Sequence, residues 1–122
     1  MNNKRRKALR TAINEIECII GEIQNRTDEI INDEEIRNSV SESINNIAED
    51  IYDVLDDEQF AYDNLPENFQ YSDRGETMYD NIDALESCQS DTEDAAMEIE
   101  NGNPEKAIQL LKSAISYSED VQ

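Results

Sequence analysis

Apolar residues return at alternating steps of three and four along nearly the whole chain, which restricts the fold more than any other feature. Leu9, Ile13, Ile16, Ile20, Ile23 and Ile30 form a first run, with Thr27 in its one missing slot. Val40, Ile44, Ile47, Ile51, Val54 and Ala61 form a second, with Glu58 in the gap. A third reads Met78, Ile82, Leu85, Thr92, Ala96 and Ile99, interrupted by Gln89. The last is Ala107, Leu111, Ala114 and Val121, flanked by Ile108, Leu110 and Ile115. Such steps align side chains on one stripe of a helix, and no stretch alternates with the period of two that a strand requires. The predicted fold class is all-α, a three- or four-helix bundle. The stripes carry about two residues per heptad, as in a coiled-coil seam rather than a broad globular face. Such seams pair either within one chain or with a second copy, so a homodimer is one of two expected arrangements.

Helix ends are also written in the chain. Asn32-Asp33-Glu34-Glu35 can cap a second helix, with Asn32 as N-cap and Glu35 reaching back. The first two stripes do not join in phase, which predicts a kink or turn near 31–34; one long bent helix is the alternative. Pro66 disfavours helical geometry at Leu65 and ends the second helix. Asp73-Arg74-Gly75-Glu76 has a capping-box arrangement that opens the third. Asn101-Gly102 supplies a left-handed stop, and Asn103-Pro104 an N-cap and a first-turn proline. The predicted helices are 4–31, 34–64, 74–100 and 104–120, in a single domain of residues 1–122. The short turn at 101–104 makes the last two antiparallel neighbours.

Composition alone leaves order undecided. Leu, Ile, Val and Phe make up 26 of 122 residues, close to the roughly 20% below which a highly charged chain is disordered. The sustained helical register decides for order. No apolar run spans a membrane, and Glu15 and Glu17 interrupt any h-region behind the basic N-terminus, so no secretory signal is expected. Cys18 and Cys88 stand far apart in helical patterns and read as two reduced, buried thiols of a cytosolic protein.

The charge is extreme: 30 Asp and Glu against 10 Lys and Arg, a net of −20. Five of the ten bases (Lys4, Arg5, Arg6, Lys7 and Arg10) lie in the first ten positions. From Thr27 to Glu100 there are 24 acids and two bases, Arg37 and Arg74. This field repels nucleic acid and anionic membrane and attracts basic surfaces. Catalytic chemistry finds little to stand on. There is no histidine, the usual general base and commonest transition-metal ligand. Neither Cys18 nor Cys88 has a CxxC or Cys/His neighbour. The acids at 50–58 have helical spacing and no glycine, unlike a calcium loop. No phosphate loop or nucleophile elbow occurs. No enzyme activity, metal or cofactor is expected. The basic N-terminal cluster reads as a helix start lying against acids of another helix, in preference to a phosphate reader.

Helices of about 30 residues span roughly 45 Å, so 20 net charges give about one per 2.2 Å, near the one per ~1.7 Å of duplex DNA. A rigid bundle would hold carboxylates as DNA holds phosphates and compete for a basic groove. Glu49, Asp50, Asp53, Asp56, Asp57 and Asp63 lie on or beside one outer face of the second helix. Tyr52, Phe60, Tyr62, Phe69, Tyr71 and Tyr79 cluster near its end and the following loop. Beside acids, such rings serve as protein-interface anchors; the alternative is that they plug the bundle end. The expected partner-binding residues are those six acids with Tyr52, Tyr62, Phe69 and Tyr71.

Residues 56–76 carry a further pattern, Asn64-Leu65-Pro66-Glu67 and then Ser72, Arg74, Gly75 and Glu76, and the helix that follows continues it with Ile82-Asp83 and Leu85-Glu86. The pattern resembles a segment of small acidic helical proteins of Firmicutes phages and mobile elements, a group without a settled biochemical role. The resemblance implies a phage or mobile-element setting, where acidic small proteins often act against host defence, including as anti-CRISPR proteins that occupy nucleic-acid grooves. Residues 101–115 resemble the turn and second helix of a tetratricopeptide repeat, but one unit does not make that architecture and the stretch reads as an ordinary helix hairpin. The leading expectation is an interaction protein of the bacterial cytoplasm whose acidic face blocks a basic, nucleic-acid-binding protein without contacting nucleic acid or membrane. The alternative is a coiled-coil structural or assembly module of a phage or larger complex.

Overall fold

A computed structural model describes residues 1–122 and contains six helices and no strand. They are α1 (Asn3–Asn25), α2 (Thr27–Asn32), α3 (Glu34–Asp63), α4 (Glu67–Gln70), α5 (Asp73–Glu100) and α6 (Pro104–Glu119). The four long ones pack in the ring α1–α3–α5–α6, each against its two neighbours. The chain runs up, down, up and down, so α1 begins where α6 ends: the Met1 amino nitrogen donates to the Gln122 carbonyl at 3.2 Å.

The apolar stripes face one another across this ring. Ile16, Ile23, Ile30, Ile44, Ile51, Leu85, Ile99 and Leu111 are fully buried. The main cluster joins all four long helices, and a smaller one of Leu9, Val54, Leu55, Ile82 and Leu85 lies nearer the end with both termini. Ala95, Ala96, Ala107 and Ala114 are also completely covered, which lets α5 and α6 approach closely. The seams are therefore filled by the chain's own helices. No helix is long and apolar enough to cross a membrane.

The helix boundaries differ from expectation in instructive places. The first helix is interrupted at Arg26, and a second break at Asp33 separates α2 from α3, so the turn near 31–34 is present and the bent-helix alternative is not. Thr27, the gap in the first stripe, sits at the first break, and its hydroxyl donates to the Ile23 carbonyl at 3.0 Å. Arg26 bridges the break by donating to Glu29 (2.9 Å) and Glu22 (3.1 Å). These contacts, chiefly the bond to Glu29, raise its already high pKa. The N-cap of α3 is Asp33, not Asn32: the Asp33 carboxylate accepts from the Glu35 and Ile36 amides. Asn32 turns back instead and donates to the Asp28 carbonyl. Arg37 covers the open end of α2 by donating to the carbonyls of Ile30 and Ile31, the favoured place for a cation.

At α5 the cap lies one residue earlier than predicted, at Ser72, whose hydroxyl accepts from the Gly75 amide. Pro66 ends α3 as expected, but the following loop contains the short α4. Gly102 adopts φ +76° after α5. Asn103 places no side-chain cap on α6; its amide donates to Glu98.

The thiols also divide. Both are free, but only Cys88 is buried, and Cys18 is exposed. Cys18 falls between the stripe positions Ile16 and Ile20, on the outward side of α1. Burial, reinforced by nearby Asp91, pushes the Cys88 thiol up to about 12.

Candidate functional site

Cations at a helix N-terminus and anions at a helix C-terminus both oppose the helix dipole. The chain places the first kind at the start of α1 and the second along the latter half of α3. Antiparallel packing brings the two together. Lys4 and Arg5 line one side of a groove of about 280 Å³ between these helices, with Asp50, Asp53 and Asp57 on the other. For Lys4 and Arg5 this is the helix-against-acids arrangement expected of the basic N-terminus.

Arg5 reaches further inward. Its Nη2 lies 3.5 Å from Oε1 of Glu58, whose side chain is 0% exposed. The other Glu58 oxygen accepts from Asn81 Nδ2 at 3.4 Å. Asn81 is itself fully buried and pairs reciprocally with the backbone of Gln122, at 2.9 and 2.8 Å. A polar cluster thus closes the bundle at the end carrying both termini. The Arg5 contact is loose: Arg5 Nε and Glu58 Oε1 have no hydrogen-bond partner.

Neither Glu58 nor Asn81 is among the sequence-predicted site residues. Glu58 stands in the sequence as a gap weakening its seam, and Asn81 lies one step from the seam residue Ile82. A charged residue at a seam position does carry a signal, because a buried acid requires a partner. The cationic run at 4–7 was the available source.

The ten predicted partner-binding residues split by location. Glu49, Asp50, Asp53, Asp56, Asp57 and Asp63 are all exposed on α3. Asp50, Asp53 and Asp57 face the α1 groove, and Asp63 accepts from Gln59 Nε2 at 3.0 Å. Tyr52 is 52% exposed, Phe69 52% and Tyr71 80%. Tyr62 is half-buried, packing on the smaller apolar cluster, with its ring centroid 6.3 Å from that of Tyr79. Two further rings near this end of α3 are also open to solvent, Phe60 at 70% and Tyr79 at 61%. The rings therefore divide: Tyr62 helps to close the bundle end, and the other five point outward.

Tyr52, Asp56 and Phe60 follow one another at steps of four, so acids and rings share one ridge of α3. The α4 hairpin continues the surface past the helix end. Gly75, buried at the start of α5, lets it close: a Cβ there would collide with the Phe69 and Gln70 carbonyl oxygens. No three acids or cysteines are grouped so as to hold a metal ion. The arrangement offers a long acidic surface with exposed rings. Comparison of the chain with protein-family models, curated proteins and solved structures finds no match.

Proposed function

We propose that this chain is a non-catalytic interaction protein that covers the nucleic-acid-binding surface of a basic bacterial protein, in the manner of an acidic DNA-mimic inhibitor. The observation carrying this reading is the outer ridge of α3 and the adjoining hairpin. From Asn38 to Asp73 there is no Lys or Arg, and solvent-facing rings are interspersed among the exposed acids. Acids steer a basic partner in, and rings anchor it once docked. The resemblance of residues 56–76 to phage and mobile-element proteins supports, by analogy, an anti-defence, anti-CRISPR-like role in a host cytoplasm. The assembly-module reading has less support, because the seams it would use are already filled by the chain's own helices.

A pull-down from a Firmicutes lysate, with the protein as bait and elution by a salt gradient, tests the proposal. The expected result is recovery of a nucleic-acid-binding protein that leaves at moderate salt and is displaced by added DNA. Recovery of only the bait or phage structural proteins, insensitive to salt, would overturn it.

A further inference from the structure

We infer that the surface of α3 and the α4 hairpin imitates a single strand rather than a duplex. Its occupant is then a single-strand-binding groove, basic and lined with aromatic side chains; this rests on the reading above and specifies the partner. Two independent features of the surface lead there.

The first is charge spacing. The six exposed acids from Glu49 to Asp63 spread over about 21 Å of helix axis, one per about 3.5 Å. One nucleic-acid strand carries a charge every ~3.4 Å and a duplex one every ~1.7 Å. The spacing of acids along α3 is therefore that of one strand, although the charge of the whole chain approaches that of a duplex. Lys4 and Arg5, opposite three of these acids, lower the field further from the duplex value.

The second feature is the rings. In a duplex the bases are stacked inside, so exposed aromatic groups have no counterpart on its surface. A single strand presents its bases, and proteins that bind it combine a basic track with aromatic side chains on which bases stack. Here Tyr52 and Phe60 flank Asp56 along α3, Phe69 and Tyr71 stand on the hairpin, and Tyr79 follows on α5. All five are 52–80% exposed. Phe60 has no hydrogen-bonding group to explain its place among carboxylates. An exposed apolar patch rimmed by polar groups marks an interaction site. In the docked state these rings occupy the positions of bases and the acids those of phosphates.

The test is competition. An OB-fold single-strand-binding protein is loaded with fluorescent oligo-dT, and a duplex-binding protein with a labelled duplex; each is titrated with the full chain. Displacement of oligo-dT, with at least tenfold less effect on the duplex complex, is the expected result. The triple variant Phe60→Ala, Phe69→Ala, Tyr71→Ala should keep its helical circular dichroism and compete at least tenfold more weakly. Equal displacement from both complexes would overturn the single-strand assignment, as would undiminished competition by the triple variant. Displacement from the duplex complex alone would overturn it and leave the broader proposal standing. No displacement from either would overturn both.

Discussion

Replacing Glu58 by Ala should destabilise the bundle by about 2–3 kcal/mol. Removing one partner of a fully buried ion pair costs about 3–5 kcal/mol, because the other charge is left without compensation. Here the surviving charge is Arg5, whose side chain is 16% exposed and can turn partly into water, which lowers the cost. With an unfolding entropy near 2.1 cal/mol/K per residue, the loss corresponds to a fall in Tm of about 8–12 °C for a chain of this length. The reverse change, Arg5→Ala, is the harsher one, at about 3–5 kcal/mol, since Glu58 has no path to solvent. Converting both together, Arg5→Met with Glu58→Leu, should return stability to within about 1 kcal/mol of the parent, because a loosely bonded buried pair is replaceable by apolar groups. Urea unfolding followed by circular dichroism at 222 nm measures the parent and all three variants. A Glu58→Ala cost below about 0.5 kcal/mol would refute the reasoning. So would a double variant as unstable as the worse single one.

Other expectations follow from particular contacts. Native protein treated with a neutral alkylating reagent should gain one adduct by mass spectrometry, at exposed Cys18, and a second at Cys88 only in denaturant; two rapid native adducts would contradict the burial. The Cys88 thiol is held up to about 12 in the folded chain, so between about pH 9 and pH 12 the unfolded chain releases this proton and the folded one keeps it. Stability is then full below pH 9 and falls as pH rises, by about 1 kcal/mol at pH 10, and Cys88→Ala should remove that part of the alkaline slope. Gly75→Ala should cost about 1–3 kcal/mol by pushing the hairpin carbonyls off α5, measured by the same urea unfolding. Gly102→Ala, at φ +76°, should cost about 1 kcal/mol through backbone strain alone.

Much of this architecture was legible because helix register and core position share one period. Ile16, Ile44, Leu85 and Leu111 could be placed in the core from spacing alone, and Pro66 and Gly102 marked the ends of α3 and α5. Local capping was less legible by one residue at Asp33 and Ser72, since adjacent Asn, Asp and Ser side chains can all cap and backbone geometry chooses among them. Cys18 misled because cysteine is usually buried, whereas its angular position on α1 points outward. The polar closure was the main omission. Glu58 breaks the apolar pattern, and only its position across the bundle from Arg5 turns the break into a contact. Pairing between helices is a tertiary fact that a one-dimensional pattern does not contain. The aromatic residues were legible as a group but not individually: Tyr62 and Phe60 stand two residues apart, and packing covers one and leaves the other open.

The most direct test of the acidic-face account compares the parent chain with the variant Glu49→Gln, Asp53→Asn, Asp56→Asn, Asp63→Asn as parallel baits in one lysate pull-down. These four acids are exposed, so the variant should keep the parent's circular dichroism and Tm. The account predicts that the nucleic-acid-binding proteins held by the parent are lost from the variant or leave at much lower salt. Retention of the same proteins to the same salt concentration would contradict it.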